Sequence, residues 1–220
     1  MRIRDLLTAL TNRRKSNSRR RMVRPHALSE QLESRTLLTG NVLVSLSGAG
    51  AQFTGDAGNN VIEVVEDSGS IVVRGLNGTT INSGTAAFTL ANASTTFPGN
   101  LTALLGDGND IATIGPGITF TGNVALYGEG GSDTLRALTG TYQRSLTLAG
   151  GNGATSIVID GATVGGSVAV RGLGSVVAGI TGSTIHGRFD ALTGFGNSAD
   201  SIVIKGSTID QTTMILTGRG

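Results

Sequence analysis

Four acidic side chains recur beside glycine turns in the middle of the chain. Asp107 and Asp110 lie in the segment GDGND, and Glu129 and Asp133 lie in the segment GEGGSD one repeat later. If the two segments stack in the fold, Asp107 lies over Glu129 and Asp110 lies near Asp133. Four carboxylates in one small volume repel one another unless a cation or water relieves the charge. These residues are therefore candidates for a metal site, and a solvated Gly/Asp turn is the alternative interpretation.

A second group includes one of the two histidines of the chain. His186, Arg188 and Asp190 occupy alternate positions, so in a single strand they would share one face. Some β-helix proteins cleave polysaccharides with residues of these types on such a face, which makes the trio the candidate catalytic group. A solvated strand face is the interpretation that we favour. No phosphate loop, metalloprotease helix or serine elbow is present in the sequence, and we predict that the protein is not an enzyme.

The elements that must position these side chains form a repeat. Glycine recurs at every twenty-second position, and a branched aliphatic residue precedes each of these glycines by two positions. A second, out-of-phase ladder consists of threonines, each followed by a large apolar residue. Two independent ladders are much harder to attribute to chance than one. The glycine ladder is Gly106, Gly128, Gly150, Gly172 and Gly194, and the threonine ladder is Thr119, Thr141, Thr163, Thr184 and Thr208.

A fixed period of this length indicates stacked repeats, in which one unit cannot bury its own apolar face. The clearest unit, Ser156–Leu173, reads SIVIDGATVGGSVAVRGL and alternates β-branched residues without helical spacing. Three short strands and three corners predict one coil of a right-handed parallel β-helix, in an all-β fold of about five coils. Neighbouring coils would stack at roughly 4.8 Å. The aliphatic ladder predicts one buried inner column, formed by Leu104, Leu126, Leu148, Val170, Leu192 and Leu216.

The chain divides into three predicted regions. Residues 1–40 carry ten basic and three acidic residues, a net charge of +7, and we expect a mostly disordered tail with at most a short helix around 28–38. Residues 41–103 contain strand-like segments off the period, with a hairpin turn at Asp67–Gly69, and are predicted to cap the first coil. Residues 104–220 form the repeat.

Composition excludes several classes of function. The chain has no cysteine, so disulfides and thiol chemistry are ruled out. It has no run of 18 apolar residues, so no helical transmembrane segment is predicted. Residues 41–220 carry a net charge of −5, and the basic tail lacks interleaved aromatic residues. An acidic body behind such a tail does not fit a nucleic-acid partner.

The segment Gln31–Leu38, QLESRTLL, follows an arginine-rich tract. It resembles the N-terminal motif of planctomycete extracellular proteins, in which an L-E-x-R-x-L-L core precedes Gly/Thr-rich β-repeats. The resemblance covers residues 13–40 and implies export to the cell surface or beyond. An ordinary secretory signal would need an apolar stretch of about 7–15 residues, which this tail lacks. The alternative is an amphipathic helix, with Leu28, Leu32 and Leu37/Leu38 docked on the body.

The two glycine turns also resemble the calcium-binding nonapeptide G-G-x-G-x-D-x-U-x of repeats-in-toxin proteins, and Gly55–Ile62 is a weaker copy. That resemblance implies Ca²⁺ shared between stacked turns through Asp side chains and backbone carbonyls. The sequence departs from the family because its turns recur once per long repeat rather than in tandem, and because Thr155 replaces the aspartate in a later corner. Calcium is thus the one cofactor predicted, at Asp107, Asp110, Glu129 and Asp133.

These observations together predict an exported, non-enzymatic β-helix protein of the cell surface or matrix, or a fragment of one, with a structural or adhesive role. The alternative is a carbohydrate-active β-helix enzyme or a polysaccharide-binding module. Cell-wall or matrix polysaccharide is one predicted partner. A second copy of the chain is another, because Thr213–Gly218 forms a strand with no capping element after it.

Overall fold

The computed structural model describes residues 40–194 and 199–218. The predictions for residues 1–39, a disordered tail with a short helix around 28–38, lie outside the described residues. In the described part all regular secondary structure is β, and no helix there is long and apolar enough to cross a membrane.

The strands are short, as expected for a chain in which glycine corners follow every few residues. In chain order they are β1 (Asn41–Ser47), β2 (Gly50–Thr54), β3 (Val61–Asp67), β4 (Ser70–Gly75), β5 (Thr80–Ile81), β6 (Phe88–Ala91), β7 (Thr96–Phe97), β8 (Asn100–Leu104), β9 (Ile111–Ile114), β10 (Thr119–Phe120), β11 (Val124–Tyr127), β12 (Asp133–Ala137), β13 (Thr141–Tyr142), β14 (Leu146–Ala149), β15 (Thr155–Asp160), β16 (Thr163–Val164), β17 (Val168–Gly172), β18 (Val176–Thr181), β19 (Thr184–Ile185), β20 (Phe189–Thr193), β21 (Ser201–Lys205), β22 (Thr208–Ile209) and β23 (Thr213–Thr217).

Three sheets form the sides of the stack, and successive coils add one strand to each. Sheet 1 has the order β23-β20-β17-β14-β11-β8-β2-β1-β5, sheet 2 has β22-β19-β16-β13-β10-β7, and sheet 3 has β21-β18-β15-β12-β9-β3-β4-β6. From β7 onwards every pairing between coils is parallel. This arrangement confirms the predicted parallel β-helix, and it shows that β7 and β8, which lie before or at Leu104, already belong to the stack.

The threonine ladder is confirmed in register. Sheet 2 pairs the threonines directly, with their side chains outward and the following apolar residues inward. The rings of Phe120 and Tyr142 stack inside, with their centroids 5.5 Å apart. The row begins one coil earlier than predicted, because Thr96 and Phe97 pair with Thr119 and Phe120.

The predicted inner column is correct in its middle and wrong at its ends. Leu126, Leu148 and Val170 are paired and buried, as predicted. The neighbours of this trio in the column are alanines, because Ala103 pairs with Leu126 and Ala191 pairs with Val170. Three predicted members therefore lie on the opposite face of sheet 1: Leu104 and Leu192, which are partly exposed, and Leu216, which is 55% exposed.

Variation in coil length explains the error. The step from Ala103 to Leu126 is one residue longer than the regular period, and the step from Val170 to Ala191 is one residue shorter. A constant period therefore selects the wrong residue at both places. Because side chains alternate between the faces of a strand, an error of one residue exchanges inside for outside.

The two ends of the stack differ. At the N-terminal end β1–β2, β3–β4 and β4–β6 are antiparallel pairs, and the predicted turn at Asp67–Gly69 joins β3 to β4. At the C-terminal end β21, β22 and β23 pair with described strands on one side only, and Met214, Ile215 and Leu216 are 46–55% exposed.

The register predicts that Leu148 and Leu192 contribute very differently to stability. Replacing the fully buried Leu148 by alanine removes core contacts and should lower the free energy of unfolding by about 2–5 kcal/mol. Leu192→Ala, on the outward face, should cost about 1 kcal/mol or less. Urea unfolding of both variants tests this, and equal losses would show that the column predicted from the constant period is the real one.

Candidate functional site

Two of the four predicted carboxylates lie inside the corner that precedes sheet 3. Asp110 and Asp133 are 0% and 2% exposed. They are neighbours in adjacent coils, because the Thr134 N–H donates to the Asp110 carbonyl at 2.8 Å. The N–H of Asp110 also donates to Oδ1 of Asp133 at 3.1 Å, so the side chain of one coil holds the backbone of the coil before it.

These two carboxylates belong to a longer row, which we call the polar row: Asn60, Asp110, Asp133 and Thr155. Asn60 precedes Asp110, and its N–H donates to Oδ1 of Asp110 at 2.7 Å. Thr155 follows as the direct strand partner of Asp133. Its next partner is Val176, which ends the row.

Each member of the polar row has one buried oxygen without a hydrogen-bond partner. These atoms are Asn60 Oδ1, Asp110 Oδ2, Asp133 Oδ2 and Thr155 Oγ1. A buried acceptor left unpaired costs about 1–3 kcal/mol. Four such atoms in successive coils are a departure from the rule that buried polar groups are paired, and they mark this corner as the candidate site.

Burial dominates the electrostatics of the row. The pKa of Asp110 is raised to about 7, mainly by burial and with smaller contributions from the charges of Asp133 and Asp56, and hydrogen bonding by Asn60 opposes the rise. Burial also raises the pKa of Asp133, and the hydrogen bond from the Asp110 N–H opposes it. Neither carboxylate takes part in an ion pair among the described residues.

The other two predicted ligands lie outside. Glu129 is exposed, and its Oε2 accepts a hydrogen bond from the Gly106 N–H at 3.1 Å. Asp107 is exposed, with its carboxylate against Gly130. The structure thus brings Asp110 and Asp133 together and leaves Asp107 and Glu129 on the surface. Within residues 40–194 and 199–218 there is no group of three or more Asp, Glu, His or Cys side chains that could hold a metal.

The glycine ladder has a direct steric reason at its centre. Gly128, Gly150 and Gly172 occupy one column of sheet 1 that faces the residues in and after the polar row. A Cβ at Gly128 would lie 2.1 Å from Oδ2 of Asp133, and one at Gly150 would lie 1.8 Å from Oγ1 of Thr155. Glycine is therefore required at these two positions, where the side chains of Asp133 and Thr155 fill the corner. The outer two ladder members, Gly106 and Gly194, lie outside this column. In their coils the column position is occupied by Leu105 and Thr193.

Asn60 and Thr155 are not among the predicted site residues, because neither is acidic. Their spacing carried a signal, since each follows a glycine by five residues, as Asp133 follows Gly128. Asn60 further differs from the carboxylates by donating through Nδ2 to the carbonyls of Asp56, Gly58 and Leu105, at 2.8–3.2 Å.

The predicted catalytic trio spans a corner. The single strand predicted for it is wrong, because β19 ends at Ile185 and β20 begins at Phe189. Nδ1 of His186 lies 2.6 Å from Oδ2 of Asp210 in the next coil. Arg188 contacts both carboxylate oxygens of Asp190 at 3.0–3.1 Å. The three side chains are thus engaged in two separate surface contacts, a hydrogen bond of His186 with Asp210 and an ion pair of Arg188 with Asp190.

A shallow hollow lies at the N-terminal end of sheet 1. Its volume is about 370 Å³, and hydroxyl and amide side chains from β1, β2 and β8 line it without a charged group. The polar lining residues are Ser45, Ser47, Gln52, Asn100 and Thr102.

Comparison of the chain with protein-family models, with curated proteins and with solved structures gives no match.

The raised pKa of Asp110 predicts how stability depends on pH when chelator removes divalent cations. The folded protein binds a proton that the unfolded chain releases near pH 3.8, so the free energy of unfolding should fall as pH rises from about 4 to about 7. Asp110→Asn, which copies the amide at Asn60, should remove most of that fall. The exposed Asp107→Asn is the control and should leave it intact. Urea titrations at several pH values measure the slope, and an unchanged slope in Asp110→Asn would contradict the assignment.

Proposed function

We propose that this chain is an exported, non-enzymatic β-helix protein with a structural or adhesive role at the cell surface. The observation that carries the proposal is the outward threonine row of sheet 2. Six consecutive coils present one threonine each, in direct register, from Thr96 to Thr208. Adjacent members lie about 4.8 Å apart. A regular, uncharged face of this kind suits contact with an extended polymer or another surface more than it suits chemistry on a small substrate.

The charges of the surface support the same proposal. The best catalytic candidates are already engaged with partners: His186 is hydrogen-bonded to Asp210 of the next coil, and Arg188 is paired with Asp190. Arg74 likewise pairs with Glu63 between β3 and β4, at 2.8 Å. Pairs of this kind at a surface contribute about 0–1 kcal/mol each and mainly help to fix local geometry.

A polysaccharide-binding module is the second candidate, and the hollow at the N-terminal end favours it. Uncharged hydroxyl and amide groups are the partners that neutral sugars need for hydrogen bonding, and the volume is in the range of small-ligand sites. Binding to insoluble cell-wall polysaccharide that Gln52→Ala and Thr102→Val abolish would favour this candidate. Thr147→Val, which changes an outward threonine two coils farther along sheet 1, is the matched control.

Self-association through the last described coil is part of the structural proposal. β21, β22 and β23 offer backbone groups along an edge that described strands leave unpaired, beside exposed Met214, Ile215 and Leu216. Apolar strand edges of this kind pair readily with another chain. A second copy meeting this edge would extend the three sheets.

Export is tested by fusing residues 1–45 to a reporter in a planctomycete host. We expect the reporter outside the cytoplasm or on the cell surface, because the segment QLESRTLL resembles the export motif of extracellular proteins. Replacing Glu33 and Arg35 by alanine in the same fusion should retain the reporter in the cytoplasm. Cytoplasmic retention of the unaltered fusion would count against export, and equal export of both fusions would show that the motif plays no part.

A further inference from the structure

One glycine of sheet 3 is not required by its own chain. Gly179 lies in the middle of β18, at an outward position between the buried Ala178 and Ile180. A Cβ added there would meet no atom of the described residues within 4 Å, and its φ lies outside the positive range that favours glycine. Glycine weakens the interior of a strand, and it often marks a place where another backbone approaches closely. A contact outside the chain itself would explain it.

Apolar side chains surround Gly179 on the outward face of sheet 3. Val158 and Val203 are its direct strand partners on the two sides. Val177 precedes it on the same face of β18. Val177 and Val203 are 56% and 54% exposed. The glycine therefore forms the floor of a shallow depression with apolar walls, and covering these walls would remove apolar surface from water.

Two opposite charges lie symmetrically about β18 at one end of this face. Asp160 on β15 and Lys205 on β21 are both strand partners of Thr181, one on each side. Asp160 accepts a hydrogen bond from Oγ1 of Thr181, and neither charge takes part in an ion pair among the described residues. Exchanging the two sides of β18 would place each charge where the opposite charge now lies.

A two-fold axis along β18 makes this exchange between two copies. It places the outward face of one copy against the same face of the other, in the way that two sheets pack through their side chains. Asp160 then faces the partner's Lys205. Val158 faces the partner's Val203, and Gly179 faces the partner's Gly179 on the axis, where the backbones can approach closely. Such a patch is self-complementary, as a closed dimer requires.

We propose that two copies of this chain associate side by side through the outward face of β15, β18 and β21, about a two-fold axis at Gly179. The contact is separate from the strand edge of the last coil, and it does not depend on export. Three strands of five or six residues give a footprint of about 15 Å by 20 Å. This is smaller than a standard interface, so the dimer should be weak and should form at high protein concentration.

The charges are tested by sedimentation equilibrium of the full 220-residue chain, from micromolar to millimolar concentration. Lys205→Glu sets two carboxylates against each other at each pair and should raise the Kd of dimerisation about tenfold or more. Asp160→Lys should do the same with two ammonium groups. The exchange variant Asp160→Lys/Lys205→Glu keeps the composition and restores opposite charges across the axis. Its Kd should return to near that of the unaltered chain.

Gly179→Arg tests the centre of the contact. Because the chain leaves this position open, the variant should have a Tm no lower than that of the unaltered chain. Two arginines would meet on the axis, so the variant should stay monomeric at every concentration tested. Thr147→Arg, at an outward position of sheet 1, is the matched control and should leave the Kd unchanged.

Four results would overturn the proposal. The first is an unaltered chain that stays monomeric up to millimolar concentration. The second is an exchange variant that dimerises no better than the two single variants, because the charges would then not face each other. The third is a dimer that persists in Gly179→Arg, which would assign the association to another surface, such as the strand edge of the last coil. The fourth is a lowered Tm in Gly179→Arg, which would show that the fold itself requires the glycine.

Discussion

The register between neighbouring coils is the constraint on which the rest of this structure depends. Each coil has little interior of its own, and its apolar residues are buried only by the coils above and below. Side chains alternate between the two faces of a strand, so a shift of one residue would place the aliphatic column in water and the outward residues in the core. The coils keep this register although their lengths differ slightly. The extra residue of the coil that follows Ala103 lies between β9 and β10, where Thr119 follows Ile114 by five residues whereas Thr141 follows Ala137 by four. Gly117 in that turn adopts a positive φ of 82°.

Side chains fix the register at the corners, where strand pairing is absent. The turn around Asn109/Asp110 does this on both sides. Asn59 and Asn109 accept N–H groups from the following coil, at 2.8 Å each, on the outer side. Asp110 and Asp133 accept N–H groups from the preceding coil on the inner side. Adjacent residues of one turn thus hold both neighbouring coils.

The inner bonds come with an electrostatic cost that explains why the row is unusual. Two unit charges about 4.8 Å apart repel by roughly 3 kcal/mol at an effective dielectric constant of 20. A hydrogen bond to a charged acceptor contributes about 1.5–3 kcal/mol, so the two bonds roughly balance the repulsion but do not offset the burial of the charges. Neutralisation by a proton or by a cation removes that imbalance. The raised pKa of Asp110 favours neutralisation of this carboxylate by a proton.

Much of the fold was predictable from the sequence, because few folds are compatible with two ladders of one period and short alternating strands. Sheet 2 was predicted well since each of its strands has one outward threonine and one large inward residue, as at Thr141 and Tyr142. Sheet 1 was predicted less well because the inner position holds alanine in two coils. Ala103 and Ala191 are small, so the larger Leu104 and Leu192 beside them were predicted to be the buried residues.

The candidate site was predictable in part, for a related reason. Stacking of Asp110 on Asp133 followed from the repeat, but Asp107 and Glu129 share the same turns and point outward. Which residue of a glycine turn faces inward depends on backbone angles that the sequence does not display. Glu129, for example, has a positive φ of 69° although it is not glycine. The neutral members Asn60 and Thr155 carry no charge, and only their spacing from a glycine relates them to the carboxylates.

Disulfide trapping tests the register most directly, because the chain contains no native cysteine. Ala169 pairs with Asp190 on the outward face of sheet 1, at a step one residue shorter than the regular period. In Ala169→Cys/Asp190→Cys the two Cα atoms lie within the range that a disulfide spans, about 4.4–6.8 Å, so mild oxidation should link them. In Ala169→Cys/Ala191→Cys, at the regular period, the side chains point to opposite faces and should stay reduced in the folded protein. Efficient linkage of the second pair, with the first pair unreactive, would contradict this register.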